Sequence, residues 1–176
     1  MKNISLFLVF AMLAIPSARA EVYITPDAFL AAAFTQSPPA PELLWLTGAL
    51  AEQAKAVLGH DLPALQMRYW ARDGRSAWIL NEIGKTEPIT IGIIIENDKI
   101  TGLSVLEYRE SRGGEVRHAF FTNQFIGLAL TPETDLSEPV DGISGATLSV
   151  RALERMARFA LLLHQKIPEN GGTAHE

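Results

Sequence analysis

The middle of the chain alternates between short apolar runs and polar turns, which is the pattern of an antiparallel β-sheet. Four such runs span residues 67–72, 76–83, 89–95 and 100–109. Asp73–Gly74 separates the first two runs and is typical of a hairpin turn. The third run is β-branched and almost wholly apolar, as a central strand should be. We therefore predict one meandering sheet of about four strands.

Two helices are predicted before this sheet. Residues 28–34 follow Thr25, a suitable N-cap, and Pro26, which favours the first position of a helix. Apolar residues at helical spacing predict a second helix over residues 42–58, which Gly59 ends.

Two further helices are predicted after the sheet. Residues 120–128 predict a short helix with Phe121, Phe125 and Leu128 on one side. Residues 148–165 carry the clearest helical pattern in the chain. The buried stripe of this last helix is predicted to be Val150, Leu153, Met156, Ala157, Ala160, Leu161 and His164. The predicted fold class is α+β, a single antiparallel meandering sheet with helices packed against it and a long C-terminal helix.

The N-terminus has the pattern of a secretory signal. Lys2 precedes an apolar run from Ile4 to Ile15 that only Ser5 interrupts, and Ala18–Arg19–Ala20 matches a cleavage site. The run is shorter than the roughly 20 residues that cross a bilayer. We expect cleavage after Ala20 and export to a bacterial periplasm, where the protein is free or bound to the surface of the inner membrane.

Composition narrows the function classes. The chain of 176 residues is 48% apolar and has no cysteine, which excludes disulfides, thiolate metal sites and cysteine nucleophiles. The four histidines have no metal-ligand spacing, so no metal site is expected. The net charge is −5, whereas proteins that bind DNA or RNA are usually basic, so no nucleic-acid partner is expected.

One segment suits a ligand. Asp141–Gly142–Ile143–Ser144–Gly145–Ala146–Thr147 directly precedes the last helix. Its small residues allow close approach of the backbone, and the free N–H groups of a helix start favour an anion. From the residues alone, the segment suits either a phosphate held at or bonded to Thr147, or an ordinary helix cap made by a Ser or Thr hydroxyl.

The same segment resembles the flavinylation motif of the FMN-binding domain family, D-x-x-[ST]-G-A-[TS]. That family includes the C subunit of the sodium-pumping NADH:quinone oxidoreductase and the G subunit of the Rnf complex. The resemblance implies FMN attached through a phosphoester to Thr147, with no catalytic residue. It also implies a binding turn formed by Asp141, Gly142, Ser144, Gly145 and Ala146.

A second segment resembles the family less closely. Members carry an E-T-P-G-L-G-like stretch before F-x-x-Q-F, and here Glu110 and Gly113 align with it, followed by residues 121–125. Glu110 is therefore a further expected FMN-site residue. An isoalloxazine ring also needs apolar or aromatic packing. Candidates are Trp70, Trp78, Tyr108, Phe121 and Phe125.

The sequence pattern and the resemblance together predict how the chain is divided and which partners it has. The expected segments are a signal peptide (1–20), an N-terminal helical segment (21–66), an FMN-binding domain (67–167) and a disordered tail (168–176). Maturation would need a separate FAD-dependent flavin transferase that uses Mg²⁺, and electron flow would need a membrane or periplasmic redox partner.

The expected function is therefore that of an exported electron-transfer flavoprotein with covalent FMN. Two alternatives stay open at this point. One is a flavin-dependent reductase of a small molecule. The other is a flavin-free periplasmic interaction module, in which Ser144–Gly145–Ala146–Thr147 is only a helix cap.

Overall fold

The computed structural model describes residues 21–35 and 37–168. Six strands within them form one antiparallel sheet. They are β1 (Glu21–Val22), β2 (Glu42–Trp45), β3 (Gln66–Arg72), β4 (Arg75–Ile83), β5 (Pro88–Glu96) and β6 (Lys99–Tyr108). Their order across the sheet is β1-β6-β5-β4-β3-β2. The four predicted runs are confirmed as β3 to β6, and the chain adds a short strand at each edge.

Helices cover both faces of the sheet. They are α1 (Pro26–Ala33), α2 (Gly48–Leu58), α3 (Ala119–Thr122) and α4 (Thr147–His164), with short 3-10 turns at Gly114–Arg117 and Asn123–Phe125. The predicted α+β class with a long C-terminal helix is confirmed. Among the described residues, every helix is too short or too polar to span a bilayer.

Alternation along the strands divides the core between the two faces. On β5, Ile89, Ile91, Ile93 and Ile95 are fully buried in the larger cluster, together with residues of α2 and α4. Ile94 points to the opposite face and packs with Phe29 and Leu30 of α1. Because successive side chains of a strand point to opposite faces, an apolar strand of this kind requires cover on both sides.

The predicted helix over residues 42–58 is wrong in its first part. Residues 42–45 form β2, which pairs with β3 through Leu43↔Arg68 and Leu44↔Met67, and the helix begins at Gly48. Leu43 and Trp45 are more than half exposed, whereas Leu46 is buried, so this segment follows a period of two. The spacing of the leucines fits both a helix and a strand. The segment forms a strand because it pairs with the edge of β3 that β4 does not occupy.

The predicted stripe of α4 is confirmed. Val150, Leu153, Met156, Ala157, Ala160 and Leu161 are all buried, and the His164 side chain is 13% exposed. Ala152 and Phe159 are buried as well, so the buried face is wider than predicted. The short helix predicted over residues 120–128 is divided between α3 and a 3-10 turn, with Phe121, Phe125 and Leu128 buried as expected.

Candidate functional site

The predicted ligand segment forms a turn, residues 141–146, that leads directly into α4. Gly145 has a φ of 84°, in the left-handed region that glycine adopts without strain. The backbone N–H of Ala146 donates to the carbonyl of Ile143 at 3.0 Å and closes the turn. Thr147 is the first residue of α4, and its side chain is exposed. We call residues 141–146 the motif turn.

The start of α4 has no side-chain cap. Ala146 occupies the N-cap position, with φ −116° and ψ 17°, and no side chain accepts a hydrogen bond there. The first intrahelical hydrogen bond runs from the N–H of Val150 to the carbonyl of Ala146 at 2.9 Å. The N–H groups before Val150 therefore have no partner within the helix and favour an anion. The sequence left open whether a Ser or Thr hydroxyl caps this helix. Neither Ser144 nor Thr147 does so.

A second loop packs against the motif turn. It follows β6 over residues 110–117 and is called here the glycine loop. Gly113 has a φ of 83°, and a Cβ there would lie 3.3 Å from the Cβ of Ala146 and 3.1 Å from the Oγ of Ser149. Ala146 is 3% exposed. Small residues at both positions therefore allow the two loops to touch.

A cleft of about 600 Å³ opens beside this contact. The glycine loop forms one wall, Ser144 and Gly145 of the motif turn form another, and Glu21 and Tyr23 form a third. The volume lies in the range of about 300–1,000 Å³ that is common for small-molecule sites. We call this space the motif cleft.

The motif cleft carries charges of both signs. The exposed side chains of Arg112, Arg117 and His118 line it, together with the carboxylates of Glu21 and Glu115. The guanidinium groups of Arg112 and Arg117 attract a phosphate, as does the uncapped helix start, whereas the carboxylates of the cleft repel it.

Glu110 lines the motif cleft, but its hydrogen bonds hold another loop. The carboxylate accepts from the backbone N–H of Lys85, from that of Thr86 at 2.6 Å and from that of Glu87 at 2.9 Å. Burial works to raise the pKa of Glu110, and these backbone donors outweigh it, so the pKa lies below its usual range. Its contacts join the β4–β5 loop to the end of β6, and contact with FMN stays a prediction.

Gln124 is a site residue that the sequence analysis did not single out. Its Oε1 accepts the backbone N–H of Asp141 at 2.8 Å and so fixes the start of the motif turn. The side chain of Asp141 is itself exposed. Gly142 is also exposed, with no atom within 4 Å of where its Cβ would lie. The F-x-x-Q-F pattern could have indicated Gln124. Burial in the core explains the two phenylalanines of this pattern but not its glutamine.

Most of the aromatic candidates lie away from the motif cleft. Trp78, Phe121 and Phe125 are 0% exposed in the core. Trp70 packs with the α1 cluster on the other face of the sheet. Tyr108 lines the cleft at 5% exposure, and its hydroxyl is hydrogen bonded to the carbonyl of Arg112 at 2.6 Å and to the Oγ of Ser149 at 2.9 Å.

A second cleft, of about 650 Å³, lies at the other end of α4. There the fully buried Ser76 hydroxyl lies 2.7 Å from Nδ1 of His164, and His164 Nε2 lies 4.0 Å from Asp98. The indole N–H of Trp78 donates to the same hydroxyl at 2.8 Å. The arrangement resembles a Ser–His–Asp set, but a serine with no exposed surface and both hydrogen-bonding roles filled is a structural group.

The comparisons with known proteins agree with this geometry. Residues 84–162 match the model of the FMN-binding domain. Neither the curated proteins nor the solved structures that were searched gave a match. The matched part contains β5, β6, the glycine loop, the motif turn and nearly all of α4. The match supports flavin binding with FMN as the ligand. The resemblance to the FMN-binding domain family that the sequence predicted is thus confirmed for residues 84–162.

Proposed function

We propose that this protein is an exported flavoprotein that carries electrons through FMN bonded to Thr147 by a phosphoester. The observation that carries the proposal is the exposed Thr147 at a helix start without a side-chain cap. Thr147 itself does not line the motif cleft, but it directly follows the motif turn, whose Ser144 and Gly145 do.

Electrostatics support a phosphate at this position. A phosphate esterified to Thr147 keeps one negative charge. The unpaired N–H groups of the first turn of α4 point toward such a group, and the helix dipole stabilises it. Arg112 and Arg117, which line the cleft, add positive charge. The phosphate would therefore lie at the motif turn and the rest of FMN in the motif cleft.

The bond would be made by a separate transferase that uses FAD and Mg²⁺. The Thr147 oxygen bonds to the phosphorus of the FMN half of FAD, and the phosphoanhydride bond breaks. AMP leaves with the electron pair of that bond, and the hydroxyl proton is released to solvent. The exposure of Thr147 gives such an enzyme access to the hydroxyl.

When bound, FMN supplies a two-electron redox centre. A quinol or an NADH-linked donor is then oxidised, and an acceptor in the compartment to which the protein is exported is reduced. The protein residues hold the cofactor in place. Gly113, Ala146 and Gly145 shape the turn, Gln124 fixes it through Asp141, and the covalent bond keeps FMN from being lost where no free pool replaces it.

The test is the intact mass of the protein after expression with a flavin transferase. We expect a chain that begins at Glu21 and carries one FMN less one water, with the added mass on the Thr147 peptide. Thr147→Ala should carry no covalent flavin and keep its fold, because the side chain is exposed. Thr147→Ser keeps a hydroxyl and should be partly loaded.

Thr47→Ala is the matched control, because Thr47 is likewise an exposed threonine at a helix start without a side-chain cap hydrogen bond, and it lies outside the motif turn and the cleft lining. It should be loaded as the unmodified chain is. Covalent flavin on Thr147→Ala would overturn the assignment of Thr147. An unmodified wild-type mass with active transferase present would favour a flavin-free interaction module.

A further inference from the structure

The motif cleft is completed by residues outside the part of the chain that matches the family. β1 pairs with β6 through Glu21↔Tyr108 and Val22↔Glu107. The backbone N–H of Tyr23 donates to the carbonyl of Leu106 at 2.9 Å, so the residue after β1 is also held against β6. The matched domain begins only at residue 84. An N-terminal strand therefore supplies the third wall of the cleft.

Tyr23 is fixed at this wall by three contacts. Its backbone bonds to β6, its hydroxyl donates to Oε2 of Glu21 at 2.7 Å, and the guanidinium of Arg117 lies 4.7 Å from the centre of its ring. Arg117 also donates to the carbonyl of Gly114 at 3.4 Å. A cation over an aromatic face at this distance is attracted to the ring. The pair therefore joins β1 to the glycine loop.

Of the two tyrosines that line the cleft, Tyr23 is the more exposed. Tyr108 is 5% exposed, and two hydrogen bonds fix its hydroxyl inward. The His118 ring pairs with Phe120, whose ring centre is 6.1 Å away. Tyr23 is half-buried and lines the same cleft as Ser144 and Gly145.

We infer that Tyr23 and Arg117 form the platform for the isoalloxazine ring of FMN, which makes the N-terminal strand part of the flavin site. The inference rests on the proposed function and adds the place of the ring. With the phosphate at Thr147, the motif turn would hold one end of the cofactor, and Tyr23 and Arg117, which line the same cleft, would meet the ring at the other. A planar, electron-poor ring gains from stacking on a phenol and a guanidinium.

This placement has two chemical consequences. A phenol in contact with an excited flavin gives it an electron and takes the electron back, so emission is lost without net reaction. A phenylalanine ring has the same shape but is too hard to oxidise for this exchange. The charge of Arg117 stabilises the negative charge that the ring gains on reduction, so it raises the reduction potential.

The first experiment compares the flavin emission of transferase-loaded wild type with that of loaded Tyr23→Phe. Phenylalanine keeps the ring under Arg117, and the strand pairing uses only the backbone. We expect a several-fold rise in emission yield and a longer lifetime. The matched control is Trp45→Phe, which removes an exposed electron donor from β2 at the opposite edge of the sheet and should leave emission unchanged.

The second experiment measures the midpoint potential of loaded Arg117→Gln. We expect a lower potential than in the wild type. Arg68→Gln is the control, because Arg68 is an exposed arginine of β3 and should leave the potential unchanged. A purely structural role of Arg117 would affect stability without this shift.

The outcomes separate the two claims. If the loaded Tyr23→Phe protein emits as the wild type does, the platform is wrong while the attachment to Thr147 stands. If the wild-type chain accepts no flavin from an active transferase, the proposed function fails and the platform fails with it. A rise in emission for Tyr23→Phe alone supports the inference.

Discussion

At Gly113 the glycine loop meets the start of α4 with no room for a side chain. A Cβ would lie 3.0 Å from the hydroxyl of Tyr108, 3.1 Å from the Oγ of Ser149 and 3.3 Å from the Cβ of Ala146. The φ of 83° adds strain for any other residue. A methyl group added at this position would therefore displace the glycine loop and change the shape of the motif cleft.

We predict that Gly113→Ala lowers the free energy of unfolding by about 1–3 kcal/mol, the range for a non-glycine residue in a strained conformation. The displaced loop should also slow flavin loading. Urea unfolding and the time course of the mass increase measure the two effects. Gly142→Ala, next to open space, is the control for stability. Normal stability and loading in Gly113→Ala would show that the loop contact is unimportant.

Glu110 gives a pH dependence at the same scale. Because backbone donors lower its pKa in the folded state, its contribution to stability is present above its unfolded pKa of about 4.3. That contribution is lost as the pH falls through the folded value. We predict that wild type loses stability more steeply than Glu110→Gln between about pH 5 and 3. Equal slopes in urea titrations at these pH values would contradict the prediction.

At the scale of elements, the motif turn is joined to the segment before it by one side chain. The 3-10 turn Asn123–Phe125 buries Phe125 and so directs Gln124 toward the backbone of Asp141. The sequence pattern predicted the short helix around Gln124 and the motif turn separately. The pattern could not show that the two are joined, because Gln124 and Asp141 lie 17 positions apart and the segment between them carries no periodic signal.

Gln124→Met keeps the length of the side chain and removes the acceptor. We predict a loss of about 1 kcal/mol in the free energy of unfolding, typical of one hydrogen bond, and a larger relative loss in the rate of flavin loading. Gln124→Glu restores an acceptor and should recover loading. Failure of Gln124→Glu to recover would indicate that this hydrogen bond does not control the turn.

At the scale of the whole molecule, α4 spans from the motif cleft to a buried polar cluster. Thr147 begins the helix and His164 ends it, which places them roughly 25 Å apart. Burial lowers the pKa of His164, although Asp98 works to raise it. At His60, the carbonyl of Asp61 raises the pKa more than burial lowers it, and the Glu82 carboxylate adds to the rise.

The two histidines therefore act on stability with opposite signs. The folded pKa of His164 lies below the unfolded value of about 6.5, so stability rises with pH through that window. The folded pKa of His60 lies above it, so its contribution is full at low pH and is lost as the pH rises. We predict that His164→Gln flattens the rise in unfolding free energy below about pH 6.5, and that His60→Gln weakens the fall in unfolding free energy above about pH 6.5. The opposite pattern would contradict both directions.

Local patterns determined the strands β3 to β6, the helix α4 and the motif before it. Each depends on residues close in sequence, through side-chain alternation, helical period and small residues at a helix start. Only the tertiary structure decided that residues 42–45 pair as a strand, that Glu110 holds the β4–β5 loop, and that Tyr23 lies beside the motif turn. These depend on contacts between distant segments, where burial and hydrogen bonding across the sheet outweigh local preference.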